Sequence, residues 1–315
     1  MAVIIHKYTQ QDRPRWDEFV IASKNATFIH LRQYMDYHSD RFVDHSLMAF
    51  NERGRLLAIL PANINGATLY SHQGLTFGGW LMPMKQFTAA TMLEIFDSLV
   101  TYLKELNINK LIYKTIPHIY HRYPAEEDIY ALFRHNAEIC ECNISSTAIP
   151  TNNHFKYSSG QSSLIKRNCQ KLEIIETKDF APFWTLLTKH LKERYEASPV
   201  HTIEEITKLS QHFPENIRLF EVSCEGRLVA GSVIYETEQV AHSQYAAAND
   251  EGFALNAMAA LHDRLLHHEY AKKAYYDFGT SNEQHGAILN ESLMISKNKL
   301  GGRGIAYITY KINIK

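Results

Sequence analysis

Tyr275–Gly304 reads YYDFGTSNEQHGAILNESLMISKNKLGGRG. Ala274 to Phe278 has the character of a short strand, followed by a polar loop. Asn290 to Lys299 reads as a helix, and Gly301-Gly302 as a turn that feeds a last strand, Ile305 to Ile314, whose apolar residues alternate. A strand, a loop, a helix and a strand in close succession is the grammar of a mixed sheet with helices on its faces.

The same order extends outward in both directions. Upstream lie a helix over Leu255–His268, a strand over Val240–Ala247, and a hairpin of Ile217–Ser223 with Leu228–Glu236 around Glu225-Gly226-Arg227. Before them come a helix started by the capping box Thr202-Ile203-Glu204-Glu205 and another over Phe180–Tyr195. The first half repeats this sequence of elements. Asp17 to Ile29 reads as a helix, and Ser46–Asn51 and Arg55–Ile64 as a hairpin around Glu52-Arg53-Gly54. Thr68–His72 is a strand. Thr88 to Leu106 is an amphipathic helix with Met92, Ile95, Phe96, Leu99, Leu103 and Leu106 at helical spacing. Lys110–Ile116 is a strand stopped by Pro117, and Glu126–Asn136 a helix with acids in its first turn. The polar, turn-rich stretch Pro150–Gly160 separates the halves. The expectation is an α+β fold with a mixed α/β sheet and two domains, 1–150 and 151–315.

Composition bounds the function. The 315 residues are 45% hydrophobic and 21% charged, which is globular and long enough for two domains. A formal net charge of -1 gives no bulk field to steer a polyanion. The four cysteines, Cys140, Cys142, Cys169 and Cys224, fit neither a disulfide framework nor a zinc spacing, and read as small buried apolar groups. No apolar run reaches membrane length, and the expected compartment is the cytoplasm.

Two such domains in tandem resemble the GNAT-type acetyltransferase fold as paired in the Fem-type (FemAB-like) aminoacyl and peptidyl transferases and their bacterial acetyltransferase-like relatives. The motif residues are Asp277-Phe278-Gly279, Ser292-Leu293, Ser296-Lys297, Leu300 and Gly301-Gly302. Ser296 and Leu300 stand where that family has aromatics. The resemblance implies an acyltransferase that moves an acetyl or aminoacyl group to an amine, on a cell-wall or sugar precursor. It implies acyl-CoA or aminoacyl-tRNA as donor, although the net charge does not support tRNA. It also implies a transfer role for Lys297. The long heptad pair of a coiled-coil arm is missing.

Acyl transfer to an amine needs a base for the amine proton, stabilisation of the carbonyl oxygen, and alignment of the reactants. Lys297 can supply charge to an oxyanion, or it is a solvated helix lysine. Asp277, at the C-terminal end of its strand, can orient an amine or act as base, or it is a turn-forming Asp beside Gly279. Glu283 and His285 in the loop are further candidate bases, with Ser281 and Asn282 as candidate substrate contacts beside them. Tyr245 can donate a proton to a leaving thiolate, or it packs in its strand. In the first half, Ser71–Trp80 offers His72, Gln73 and Thr76 as polar contacts, Gly78-Gly79 for close approach, and Trp80 as a flat wall. Its glycines can equally serve turn geometry alone.

Other constellations do not assemble. The loop expected to hold a CoA pyrophosphate, Asn249–Ala254, has one glycine and two acids, which repel phosphate. His262, His267 and His268 lack helical metal-ligand spacing, so no metal is expected. The basic cluster Lys166–Lys171 can contact RNA or form a solvated face. A relative of the same fold that binds a ligand or partner without catalysis is the second function class.

Overall fold

The computed structural model describes residues 2–151 and 157–314. It divides into two compact units. One comprises Met1–Asn143, Glu283–Ile288 and Ala306–Lys315, and the other Ile144–Asn282 and Leu289–Ile305. The expected boundary at 150/151 falls just past the strand Glu138–Ala148. Residues 152–156 of the expected linker lie outside the described residues. A helix, Ser159–Cys169, follows and carries Lys166 and Arg167, exposed, in its last turn.

In the first unit, Val3–Lys7, Leu47–Asn51 and Leu56–Leu60 form a small antiparallel sheet. Its hairpin closes where expected: Asn51 Oδ1 accepts from the backbone of Arg53 and Arg55, and Gly54 takes φ +71°. The larger sheet of this unit runs Val43–Asp44, Asn63–Asn65, Thr68–Tyr70, Lys110–Lys114, then residues 306–313 of strand Arg303–Asn313 and residues 138–143 of strand Glu138–Ala148. Helix Ala89–Glu105 buries Met92, Ile95, Phe96, Leu99 and Leu103, the stripe its spacing predicts. Leu106 is not part of that stripe; it caps the helix and is exposed. The first helix lies earlier than expected, at Arg13–Ala22, because Pro14 sets its first turn. Past its end, Asn25 Nδ2 donates to Trp80 O and Asn25 Oδ1 accepts from Met82 N–H, a pairing that a continuing helix would break.

Cys140 and Cys142 are exposed, not buried; they project from one face of Glu138–Ala148, whereas Cys224 is buried. Asp128 stands in the first turn of helix Glu127–Arg134, as expected, and is also a buried anchor: it accepts from Tyr113 Oη (2.8 Å), and burial pushes its carboxyl up to about 7.

In the second unit the strands run from residues 144–148 of strand Glu138–Ala148 through Tyr275–Thr280, Val240–Ala248, Arg227–Glu236 and Ile217–Cys224 to Leu172–Thr177. Phe183 and Trp184 of helix Ala181–Tyr195 pack on one face, against Gly231 and Tyr245. On the other, Leu261 and Leu265 join Ala230, Ile234, Ala241 and Tyr276 in the core. The single helix expected over Leu255–His268 is broken. A short turn, Asp250–Ala254, precedes it, Asn256 adopts a left-handed φ of 52°, and Ala257–Arg264 runs into a π turn at Leu265–Glu269.

One feature of this sheet positions the site. Val240–Ala248 and Tyr275–Thr280 are parallel, and they pair only over Val240↔Tyr275, Ala241↔Tyr276 and His242↔Asp277. Just beyond, the pairing of Val240–Ala248 with Arg227–Glu236 slips, leaving Gln244 without a partner in that register. The parallel pairing thus ends at His242, and the pairing with Arg227–Glu236 skips Gln244 and resumes at Tyr245.

Candidate functional site

Asp277 is fully buried at the end of the parallel pairing. A buried carboxylate is tolerable only when donors surround it, and four do. Ser145 Oγ, Thr147 Oγ1 (3.2 Å) and the Gly279 N–H (3.1 Å) donate to Oδ1, and His242 Nδ1 lies 3.0 Å from Oδ2. An ionised carboxylate only accepts, so this contact fixes the imidazole proton on Nδ1 and leaves the Nε2 lone pair free of it. The His242 side chain keeps 11% exposure while Asp277 keeps none. The carboxylate is closed off from solvent, and the imidazole, itself largely buried, keeps the little exposure that the pair has.

Lys297 stands on helix Glu291–Lys299, whose start is capped by Asn290 Oδ1 accepting from Leu293 N–H. Its Nζ donates to Gly279 O (2.8 Å), Thr280 O (2.7 Å) and Ser281 Oγ (3.1 Å). An ammonium has three donors, and all three are engaged. Burial lowers its pKa to about 8, against the pull of the Asp277 charge. Gly302 N–H donates to Lys297 O, and a Cβ on Gly302 would stand 2.9 Å from Ser146 Cβ, so the expected Gly turn fixes where this helix ends. Lys299 is exposed. Ser281 and Asn282 tie the loop to the backbone of Ile144: Ser281 N–H donates to Ile144 O, and Ile144 N–H to Asn282 Oδ1 (2.6 Å). Tyr245 is buried, with its hydroxyl 2.5 Å from His201 Nδ1 and its ring edge-on to Trp184.

The remaining candidates lie in the first unit. Glu283 and His285 are exposed, and His285 Nδ1 stands 3.4 Å from Glu141 Oε2. His72 is buried and stacked on His38, with its Nδ1 accepting from Gly74 N–H; burial holds its pKa well below the usual range. Gln73 and Asn63 exchange two hydrogen bonds, each of 2.8 Å. Thr76 is exposed. Trp80 is no accessible wall: it is fully buried, with its backbone N–H donating to Tyr113 Oη. The glycines of this loop serve its own backbone. A Cβ on Gly78 would lie 1.9 Å from Ser71 O, and Gly79 has φ +89°. Gly78→Ala is accordingly expected to destabilise the protein by about 3 kcal/mol, read by denaturant unfolding. Lys114 holds the loop from below, donating to His72 O, Gln73 O and Leu75 O, and burial lowers its pKa to about 8. It repeats the geometry of Lys297 in the other unit.

The start of Asp250–Ala254 does not suit a pyrophosphate. Asn249 Oδ1 already accepts the Gly252 N–H (2.8 Å), Glu251 pairs with Arg227, and Asp250 faces solvent. A Cβ on Gly252 would meet Val229 O at 2.2 Å, so its glycine answers to packing rather than to a ligand. Among the described residues, no group of three His, Cys, Asp or Glu side chains is placed to hold a metal ion.

His242, Ser145, Thr147 and Lys114 were not singled out from the sequence. The one signal for His242 was a polar residue inside an otherwise apolar strand start, Val240-Ala241-His242.

A family model described as an acetyltransferase (GNAT) domain matches residues 166–285, a span that includes both His242 and Asp277. The structure of FemX is similar over 98% of this chain and 97% of that one, with 10% identity and a TM-score of 0.68. L-PGS from Bacillus licheniformis is similar over 97% and 92%, with 12% identity and a TM-score of 0.60. A tandem GNAT protein from the clavulanic acid biosynthesis pathway is similar over 99% of each chain, with 9% identity and a TM-score of 0.53. No curated protein matches the sequence. The fold is that of tandem GNAT-like proteins, α+β with mixed sheets. The longest described helix has 17 residues, so the described residues hold no coiled-coil arm, and none of their helices is long and apolar enough to cross a membrane.

Proposed function

We propose that the second unit is an N-acyltransferase centre in which His242, oriented by Asp277, is the general base. The observation that carries this reading is the His242–Asp277 pair, set where two parallel strands part. The acceptor nitrogen attacks the donor carbonyl, forming the C–N bond. Its proton passes to His242 Nε2, and the buried Asp277 charge stabilises the imidazolium that results. The bond from the carbonyl carbon to the leaving group then breaks, and the proton leaves with that group. Lys297 acts as a positioning residue, because its ammonium holds the Gly279–Ser281 corner on which Asp277 depends.

The GNAT domain match over residues 166–285 supports acyl transfer as the reaction class. The acidic, self-capped start of Asp250–Ala254 favours a donor whose phosphates are held elsewhere, or an aminoacyl ester in place of acyl-CoA. Either donor places the reaction in the cytoplasm. The acceptor class is a primary amine, as on a cell-wall or amino-sugar precursor.

The test is mass-spectrometric detection of N-acylated product with acetyl-CoA and aminoacyl-tRNA as donors, against a panel of amino sugars and amino-terminated peptides. Product from one donor is the expected result. For aminoacyl-tRNA, turnover at subsaturating donor should fall steeply between 50 and 200 mM salt, on the order of tenfold or more, and a flat response would exclude a tRNA donor. The full engagement of the Lys297 ammonium favours a second reading, ligand binding without turnover. In that case a donor raises the Tm but no product forms.

A further inference from the structure

Gln244 is out of place for a structural glutamine. It lies two residues past His242 on Val240–Ala248, has no partner in the register with Arg227–Glu236, and sits beyond the last pair with Tyr275–Thr280. Its side chain is half-buried, and its Oε1 is a buried oxygen with no hydrogen-bond partner. Neighbouring polar groups on the strand are satisfied: Ser243 Oγ pairs with Ser232 Oγ (2.9 Å), and Tyr245 Oη with His201. A buried acceptor left open costs stability unless a ligand supplies the donor, and such exceptions gather at working sites.

We infer that Gln244 Oε1 receives an N–H of the acceptor amine and so aims the nitrogen lone pair at the donor carbonyl. The inference rests on the proposed transferase reading and narrows its substrate to acceptors with at least two N–H bonds. Two residues of strand separate Gln244 from His242, a span of at most about 7 Å because the bulge at Gln244 bends the strand. A small nitrogen between the two side chains can therefore give one hydrogen to each. A primary amine meets this requirement: one N–H goes to Gln244, and the proton lost in the reaction goes to His242. A secondary amine, once one N–H is given to Gln244, has no second hydrogen left on the neutral nitrogen for His242.

The experiment pairs Gln244→Met with Gln244→Glu. Methionine keeps the length of the side chain and removes the open acceptor. The ligand-free Q244M protein is expected to gain about 2 °C or more in Tm. Its KM for the amine should rise about tenfold or more, with a smaller change in kcat. Q244E keeps an acceptor oxygen and should hold KM near that of the wild type. A lower Tm for Q244M would show that the side chain is bound within the protein and would overturn the inference. So would an unchanged KM in an active Q244M, or equal turnover of a primary amine and its N-methyl counterpart by the wild type. The Tm arm is read without substrate. If the wild type acylates no amine, the transferase reading fails, while the Tm shift still decides whether Gln244 presents an open acceptor.

Discussion

His242→Gln is expected to lower kcat/KM about a thousandfold while the protein stays folded. Glutamine can still reach the Asp277 carboxylate with its amide N–H, so the buried charge remains partnered. It has no group that takes a proton near neutral pH, so the base is lost and the geometry is kept. General base catalysis by a positioned imidazole contributes on the order of 10²–10⁴. Asp277→Asn should cost a similar factor by a different route. The four donors around Asp277 suit a carboxylate, and an amide must turn its NH2 toward some of them. Facing His242, that NH2 forces the imidazole proton from Nδ1 to Nε2, the wrong tautomer for a base. The double variant should be scarcely worse than either single one, because the two side chains act as a unit. Steady-state kinetics on the three variants, with circular dichroism to confirm folding, reads this directly. Additive losses would show that the pair is not a unit.

Lys297→Met is expected to lower stability by about 3 kcal/mol and to remove most transfer activity with it. Its three acceptors sit at Gly279, Thr280 and Ser281, and methionine offers none of them a donor. Hydrogen bonds from a charged donor contribute about 1.5–3 kcal/mol, and unsatisfied carbonyls add to the loss. The loss should appear in kcat, since the Gly279 N–H is one of the groups that hold Asp277. The charge itself works the other way. Lys297 has a folded-state pKa of about 8, below that of the unfolded chain. Between about pH 8 and 10.5 the unfolded state therefore binds more protons at this site, and the lysine's contribution to stability rises with pH in that window. Lys114, also near pH 8, has the same sign. The difference in unfolding free energy between wild type and Lys297→Met isolates the Lys297 term, and it should widen from pH 8 toward pH 10. A difference that narrows would mean that burial does not disfavour the ammonium.

The parallel between Lys114 and Lys297 bears on what a lysine at such a corner does. Each ammonium donates to backbone carbonyls at a strand's end or in the loop that follows it. In the first unit this geometry holds a loop whose polar side chains, His72 and Gln73, hydrogen-bond within the unit itself. The corner lysine is thus a way of building the fold's loop, and chemistry depends on what the strand beside it presents. In the second unit the strand presents Asp277 and His242.

Much of the fold was legible because it is written in local patterns. Thr88, Met92, Ile95 and Leu99 announce a helix from a cap and a stripe, and Glu52-Arg53-Gly54 and Glu225-Gly226-Arg227 announce hairpins. Val3–Lys7, Glu138–Ala148 and Leu172–Thr177 were missed; Glu138–Ala148 opens with charged and exposed residues that carry no alternation. The candidate site was legible only in part. Asp277 stands at a strand end beside a glycine, a local signal. Ser145, Thr147 and His242 reach it through strand pairings that span 132, 130 and 35 residues of chain, which no local window contains. Trp80 was misread for the same reason: adjacent glycines suggest an open loop, yet Gly78 and Gly79 exist to press that loop onto Ser71 and Tyr113.

The most direct measurement is the turnover of His242→Ala with and without added imidazole. Removal of the ring leaves a space beside Asp277 into which a free imidazole can enter with the same tautomer. His242→Ala is expected to be inactive and to recover about tenfold or more in the presence of imidazole, with no such recovery in Asp277→Asn. A His242→Ala protein that transfers the acyl group as fast as the wild type, without imidazole, would contradict His242 as the base.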